Sequence, residues 1–223
     1  MAAHLESEPA AAAVVNFAPI LLEQIDDYAQ QIHNYFLQGS RITDPLLCAL
    51  GGAVLPVGIG ERIKLVQDCL RANKERLIDR YDNYQRLTEL ADWFLKHQDA
   101  NIYINDQFLV DIIVWYHLAW LGETVRREDK RTEDLIKKGS GYTLHERRVL
   151  LEVIGDLLSG VIPRYKALAE SGKVELSTSP YAHPIVPLLL DLQTAKEAMP
   201  DAPMPLLEAY PGGEERARWQ IQY

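Results

Sequence analysis

The order of apolar and polar residues near the N-terminus predicts a strand that leads directly into an amphipathic helix. Residues 13–19 read AVVNFAP, a short β-branched run closed by a proline, which is typical of a strand. From Ile20 the apolar residues recur at helical spacing with acids and glutamines between them, and Gly39 follows the last turn. A strand followed at once by a helix is half of a βα unit.

A helix and a strand of the same kind stand near the other end of the chain. Thr143, with Glu146 three residues later, forms a capping-box pattern at the start of a long apolar stripe. Pro163 is expected to kink this helix, and Gly172 suits the residue after its C-cap. Residues 173–178, KVELST, alternate polar and apolar and predict the second strand.

The chain between the two strands reads as helical almost throughout. Its most apolar segment, Phe108–Leu121, is expected to be a buried helix capped by Asn105 or Asp106, and glycines mark residues 51–60 as a loop. Further helices are expected at residues 61–73, 86–97, 126–138 (in part), 188–199 and 214–223, with a break at 80–85 and a loop at 200–213. The pattern predicts a helix-rich α/β fold with a large helical insertion between two parallel strands.

The composition of the chain narrows the classes of partner. The formal net charge is −9, which disfavours nucleic acid and anionic membrane surfaces because both need clustered Lys and Arg. The run Phe108–Leu121 contains Asp111 and His117 and is too short to span a bilayer, which takes about 20 apolar residues. The N-terminus lacks a secretory signal, and Cys48 and Cys69 read as reduced, buried thiols. We therefore expect a cytoplasmic protein that does not bind membranes or nucleic acid.

The carboxyl ends of the two predicted strands carry candidate binding groups, since reacting groups of α/β folds gather there. In residues 177–184, STSPYAHP, Tyr181 suits stacking on a sugar ring and His183 suits hydrogen bonds to its hydroxyls; the alternative is a rigid loop with one satisfied histidine. Glu175 either points into a barrel lumen and orients substrate, or is an exposed or paired strand acid. Asn16 either binds a hydroxyl or makes a local backbone hydrogen bond.

The aromatic residues of the apolar helix also allow two roles. Trp115, Tyr116 and Trp120 favour the core, because the helix is apolar all round. The alternative is a surface on which sugars stack, and Trp120 is kept as a candidate for that role.

The sequence gives little support for a catalytic triad, a metal site or a nucleotide-binding loop. Ser179, His183 and Asp191 lie within one short segment without a nucleophile elbow, so we expect no triad. The six histidines form no HxH or HxxxH pair, which disfavours a metal site. The glycines of residues 51–60 lack the Lys-Ser/Thr ending of a phosphate loop.

Four segments, in order along the chain, resemble glycoside hydrolase family 57. The most specific is GKVELSTSPYAHPIVPLL at residues 172–189. Weaker matches are VVNFAPILLEQIDDYA at residues 14–29, VWYHLAWLG at 114–122 and EERARWQI at 214–221. The resemblance implies an incomplete (β/α)7 barrel with a helical region inserted between strands. It also implies retaining cleavage or transfer of α-glucosidic bonds in an α-glucan or maltooligosaccharide, with no metal or organic cofactor.

The chain also departs from the family pattern. It has no His-Gln-Pro motif, which the family carries on its first strand, and His117 stands where the family commonly has Asn. The resemblance places the nucleophilic Glu and the acid/base Asp beyond Tyr223. We therefore expect no catalytic residue in this chain, no activity from it alone, and the remainder of the barrel to be missing from it. The expected substrate-binding residues are His183, Tyr181, Glu175, Ser179, Asn16 and Trp120.

The sequence thus predicts one partial catalytic-barrel domain over residues 1–223. Its expected parts are a strand–helix unit at 1–38, a helical insertion at 39–171, and the second strand, substrate loop and helices at 172–223. The expected function is a part of a retaining α-glucan-processing hydrolase or transferase in carbohydrate metabolism. The alternative is a non-catalytic helical domain that binds carbohydrate or a protein partner.

Overall fold

A computed structural model describes residues 1–207 and 209–222. The helices are α1 Ala2–Ser7, α2 Pro19–Gln38, α3 Pro45–Gly51, α4 Ile59–Cys69, α5 Asp82–Lys96, α6 Asp106–Trp120, α7 Glu123–Glu128, α8 Lys130–Lys138, α9 Leu144–Glu170, α10 Val186–Leu190, α11 Ala195–Ala198 and α12 Gly213–Gln222. A π-helical turn covers Lys74–Ile78, and 3-10 turns cover Gln98–Tyr103 and Leu192–Thr194. The strands of this described part are β1 Ala13–Phe17 and β2 Val174–Thr178.

The described residues form a helix-rich α/β fold that divides into two units. One unit joins residues 1–27 to residues 160–223 and contains both strands, and the other is the helical unit, residues 28–159. The division predicted from the sequence, at residues 38–39 and 171–172, stays a prediction, as does the (β/α)7 barrel.

The two strands pair in parallel, as the sequence predicted. Ala13 lies opposite Val174, and the register continues to Phe17 opposite Thr178. Val15 and Val174 are buried in a small apolar cluster that the first helix and the end of α9 complete. The opposite face of the pair, which carries the alternate side chains, is exposed to solvent.

The helical unit is built around α6, the helix that the sequence predicted to be buried. Eleven of its fifteen residues are buried. The Asn105 side chain caps it by accepting a hydrogen bond from the Phe108 backbone N–H at 2.9 Å. In the described residues, no helix is both long enough and apolar enough to cross a bilayer.

A buried carboxylate on α6 fastens the turn before α9. Asp111 is 7% exposed and accepts hydrogen bonds from the Gln107 side chain at 2.8 Å and from the backbone N–H groups of Gly141 and Tyr142 at 2.9 and 3.1 Å. Buried polar groups are stable in a core only when they are paired, and these bonds pair both the carboxylate and the backbone of the turn. An acidic residue in this apolar helix is therefore structural.

The start and end of α9 follow the sequence prediction. The backbone N–H of Thr143 donates to the Glu146 carboxylate at 2.7 Å, and the N–H of Glu146 donates to the Thr143 hydroxyl at 3.3 Å, which completes the capping box. The helix continues past Pro163 to Glu170. Gly172, just beyond it, has a positive φ of 77°, which glycine adopts without strain.

Three details of the helical pattern differ from the prediction. Helix α3 was not expected from the sequence, although Asp44 before Pro45 is a strong start signal. The Asp44 carboxylate accepts hydrogen bonds from the backbone N–H groups of Leu46 and Leu47. The break predicted at residues 80–85 is shorter, because α5 already begins at Asp82.

The single helix predicted over residues 188–199 is also wrong. Asp191 is extended there and caps a 3-10 turn, accepting a hydrogen bond from the Gln193 backbone N–H at 2.8 Å. The side chain of Asp191 competes with the helical backbone for that N–H, and the segment is divided into three short helical pieces.

Candidate functional site

A hydrogen-bonded polar cluster lies where the two parallel strands end. Asn16 and Ser177 are opposite each other in the register, and the Asn16 amide donates to the Ser177 hydroxyl at 3.1 Å. The Ser179 hydroxyl, just beyond the strand, donates to the side-chain oxygen Oδ1 of Asn16 at 2.7 Å. The structure therefore brings together two residues that the sequence placed at different strand ends, Asn16 and Ser179, and adds Ser177 between them.

Backbone bonds hold the loop after β2 against the end of β1. The N–H of Ser179 donates to the Phe17 carbonyl at 3.1 Å, which extends the strand ladder by one residue. The N–H of Ile20 at the start of α2 donates to the Tyr181 carbonyl at 3.2 Å. The cluster is thus carried by backbone fixed at both strand ends, which lowers the cost of ordering it around a ligand.

Tyr181 is half-buried and held in place by partners that sequence reasoning did not identify. Its hydroxyl donates to the Glu23 carboxylate at 2.6 Å, and its ring meets the Trp219 ring edge-on, with centroids 5.4 Å apart. The Tyr181 backbone N–H donates to the Gln220 carbonyl at 2.8 Å. The sequence spacing does not signal these pairings. Glu23 lies on α2, and Trp219 and Gln220 lie on α12, all far from the loop along the chain.

His183 is exposed and occupies a backbone conformation that histidine rarely adopts. Its φ is 55°, and no other non-glycine residue of the described chain has a positive φ. Its N–H donates to the Pro180 carbonyl at 2.8 Å, which closes a tight turn. A left-handed non-glycine residue costs of order 1 kcal/mol or more, and such residues concentrate at functional sites. Among the residues that the structure covers, the imidazole makes no hydrogen bond and faces solvent.

Glu175 lies on the exposed face of the strand pair, two residues before Ser177. Its register partner is Val14, which is 68% exposed. Since side chains alternate along a strand, Glu175, Ser177 and Asn16 project from the same face. Within residues 1–207 and 209–222, the Glu175 carboxylate has neither an ion-pair partner nor a hydrogen bond. In the described chain Glu175 is therefore exposed and unpaired, and its role in orienting substrate stays a prediction.

Trp120 belongs to the helical unit, whereas the strand-end residues belong to the other unit. Trp115 is buried, at 2% exposure, as expected, but Trp120 is 57% exposed, so the prediction that it lies in the core is wrong. The reason is positional: it is the last residue of α6, where the helix leaves the core.

Triad and metal arrangements are not assembled in the described part of the chain. The Ser179 hydroxyl is bonded to Asn16 and the Asp191 carboxylate to the Gln193 backbone, so no hydrogen bond joins Ser179, His183 and Asp191. No group of three His, Cys, Asp or Glu side chains converges there as metal ligands would. The expected absence of a metal or cofactor stays a prediction.

The chemical character of the strand-end cluster is that of a site for neutral, hydroxyl-rich molecules. An amide, two serine hydroxyls and an imidazole provide both donors and acceptors, as a sugar hydroxyl requires. Glu175 contributes one carboxylate on the same face, whereas retaining glycoside cleavage requires two carboxyl groups about 5–5.5 Å apart. The cluster is therefore suited to holding a sugar rather than to cleaving it.

Comparison with known proteins identifies the family of this chain. Residues 61–221, well over half of the chain, match the model of "Glycosyl hydrolase family 57". This range contains the segment 172–189 on which the sequence resemblance chiefly rested, and that resemblance is confirmed. No curated protein and no solved structure matches the chain.

Proposed function

Because this chain belongs to glycosyl hydrolase family 57, we propose that it is the substrate-contacting part of a retaining α-glucan hydrolase or transferase. The observation that carries the proposal is the hydrogen-bonded group of Asn16, Ser177 and Ser179 at the ends of two parallel strands, with His183 exposed in the same loop. Strand ends of this kind are where α/β enzymes bind ligands.

Each residue of the cluster has a distinct part in holding a glucan. A neutral imidazole at His183 donates to one sugar hydroxyl and accepts from another. Ser179 and Asn16 orient each other and present their remaining lone pairs and amide hydrogen to further hydroxyls. Glu175 accepts a hydrogen bond from a hydroxyl on the open face of the strands. Tyr181 fixes the loop through Glu23, and its ring forms a border of the sugar site.

The bond-breaking groups are proposed to be carried by residues other than these. A retaining mechanism needs a nucleophilic carboxylate and an acid/base carboxyl, and the family resemblance assigns neither to residues 1–223. The two strands are accordingly proposed to be part of a larger (β/α)7 barrel that includes those groups. The purified chain is expected to show no hydrolysis of maltooligosaccharides above a blank, and no metal or organic cofactor is proposed.

The proposal is tested by measuring maltoheptaose binding to the purified chain, with the His183 imidazole resonances as the site-specific readout. His183→Gly removes the side chain and also relieves the positive φ, so it is expected to keep or raise the melting temperature. Loss of two hydrogen bonds is expected to weaken binding at this site about tenfold. His145→Ala, an exposed histidine on α9, is the matched control and is expected to bind as the wild type does.

Two outcomes would contradict the proposal. If His183→Gly binds maltoheptaose as tightly as the wild type and the His183 resonances do not move on titration, the strand-end cluster does not hold glucan. If the purified chain hydrolyses maltooligosaccharides, and a substitution inside it abolishes that turnover, then the catalytic groups lie within residues 1–223.

A further inference from the structure

The loop that carries His183 is bonded twice to one residue of α12, Gln220. The backbone N–H of Tyr181 donates to the Gln220 main-chain carbonyl at 2.8 Å. The next N–H, that of Ala182, donates to the Gln220 side-chain oxygen Oε1 at 2.6 Å, across 38 positions of the chain. The third, that of His183, donates to the Pro180 carbonyl at 2.8 Å. Three consecutive backbone donors are therefore paired, two of them by a single residue.

The backbone of His183 needs such support because two local preferences oppose its conformation. Its φ is 55°, in the left-handed region where the Cβ of an ordinary residue crowds the backbone. It also precedes Pro184, and a residue before proline is pushed towards extended backbone. A conformation of this kind persists only where the surrounding structure over-determines it. The bonds from Gln220 to the two residues before His183 are contacts of that kind.

The helix that carries Gln220 is itself held in place within the same unit. Its first residue, Gly213, is buried, and a Cβ there would overlap the Leu189 main-chain carbonyl of α10, so the two backbones are in close contact. Near the other end of α12, the Trp219 ring meets the Tyr181 ring edge-on. Because α12 is anchored in this way, bonds from Gln220 fix the position of the loop.

We propose that Gln220 is a positioning residue for His183, and that its main-chain carbonyl and side-chain oxygen together hold the loop in the turn that exposes the imidazole. The consequence for glucan binding rests on the proposed function, since it applies only if His183 contacts the sugar. The effect on the loop itself needs no ligand.

Position 220 needs a hydrogen-bond acceptor at the end of a side chain as long as that of glutamine. A backbone N–H can only donate, so the amide oxygen of Gln220 and not its nitrogen faces Ala182. Glutamate places an oxygen at the same distance from the backbone, whereas methionine is similar in length and offers only a weak sulfur acceptor. Gln220→Glu and Gln220→Met therefore separate the hydrogen bond from the packing of the side chain.

The first test measures amide hydrogen exchange in the full chain. Gln220→Met is expected to speed exchange at Ala182 about fivefold, because the acceptor of that N–H is removed. Exchange at Tyr181 is expected to change by less than about twofold, since the main-chain carbonyl of residue 220 remains. Gln220→Glu is expected to restore slow exchange at Ala182. Gln222→Met changes an exposed glutamine of the same helix and is the matched control, expected to exchange as the wild type does.

Two results of this test would overturn the positioning role. If Ala182 exchanges at the wild-type rate in Gln220→Met, the side chain does not hold the loop. If Tyr181 and Ala182 become faster by equal factors, the substitution has moved α12 as a whole. Gly213→Ala is the reference for that second pattern, because displacing the start of α12 from the Leu189 carbonyl is expected to speed exchange at both residues.

The second test follows His183 and the sugar. In Gln220→Met, the His183 imidazole resonances of the ligand-free chain are expected to move towards those of a histidine in an unfolded peptide. Maltoheptaose is expected to bind about fivefold more weakly, because the loop must then be ordered on binding. Both effects are expected to be absent in Gln220→Glu. Equal losses of affinity in Gln220→Met and Gln220→Glu would overturn the role of the hydrogen bond.

The readouts separate this proposal from the proposed function. If Gln220→Met speeds exchange at Ala182 but maltoheptaose leaves the wild-type His183 resonances unchanged, Gln220 positions His183 and the strand-end cluster is not a glucan site. If maltoheptaose shifts the His183 resonances while exchange at Ala182 is the same in Gln220→Met and the wild type, the strand-end site stands and Gln220 does not position it.

Discussion

Replacing Asp111 by alanine is expected to lower the free energy of unfolding by about 3–4 kcal/mol, through the loss of partners for a buried turn. The carboxylate accepts hydrogen bonds from three donor groups, the side chain of Gln107 and the backbone N–H groups of Gly141 and Tyr142. The Gln107 side-chain amide can hydrogen-bond to water instead, so little of the lost stability comes from it.

The two backbone donors dominate the magnitude. Each unpaired buried N–H costs about 1–3 kcal/mol, and bonds to a charged acceptor are at the upper end of that range. Tyr142 is 2% exposed, so leaving its N–H without an acceptor is expected to cost close to the upper end of that range. Gly141 is exposed, so water can partly replace the carboxylate as the acceptor for its N–H. A loss of 3–4 kcal/mol is a large fraction of the 5–15 kcal/mol that typically separates folded from unfolded chains.

Urea unfolding followed by circular dichroism measures this effect. Asp111→Asn keeps one carbonyl oxygen for the backbone donors and is expected to lose about half as much stability. Asp134→Ala removes an exposed acid that pairs with Lys130 on the surface, and is expected to change stability by less than about 1 kcal/mol. If Asp111→Ala and Asp134→Ala have equal urea midpoints, the turn is not held by Asp111 and the reasoning fails.

Two pH-dependent effects on stability are also expected. Burial lowers the pKa of His117, so the unfolded chain takes up a proton near the usual pKa of about 6.5 while the folded chain does not. The free energy of unfolding therefore falls as pH drops below that value. His117→Asn should show a smaller loss of urea midpoint than the wild type between pH 7 and pH 5.5. Hydrogen bonds from Arg80 and Arg126 lower the pKa of Glu123 to about 2, so its contribution is present above about pH 4.5 and is lost as pH falls towards 2. Melting temperatures of Glu123→Gln should accordingly fall less steeply than those of the wild type between pH 5 and pH 3, and identical slopes would contradict this.

Much of the secondary structure could be predicted from local sequence, because its causes are local. The capping box of Thr143 and Glu146 and the cap of Asn105 each involve residues three apart, so the pattern contains the whole interaction. The helix predictions that failed also had local causes. Asp44 before Pro45 starts α3, and the Asp191 side chain divides the helix predicted over residues 188–199.

The candidate sites depended more on long-range contacts. The sequence singled out Asn16, Ser179 and His183 by their position after strands, but it gave no reason to pair Asn16 with Ser177, or Tyr181 with Glu23, across more than 150 residues. The sequence predicted the burial of α6 as a whole but not where that burial ends: its periodicity treats Trp115 and Trp120 alike, although one is buried and the other exposed.

The sequence by itself determined the family of this protein, the alternation of its two strands with helices, and the residue types that gather at the strand ends. Each of these depends on short segments whose chemistry is contained in neighbouring positions. Only the tertiary structure decided the strand register, the positive φ of His183, the pairing of the strand-end side chains and the exposure of Trp120. These depend on residues far apart in the chain, whose distances are set by how helices and strands pack rather than by their order.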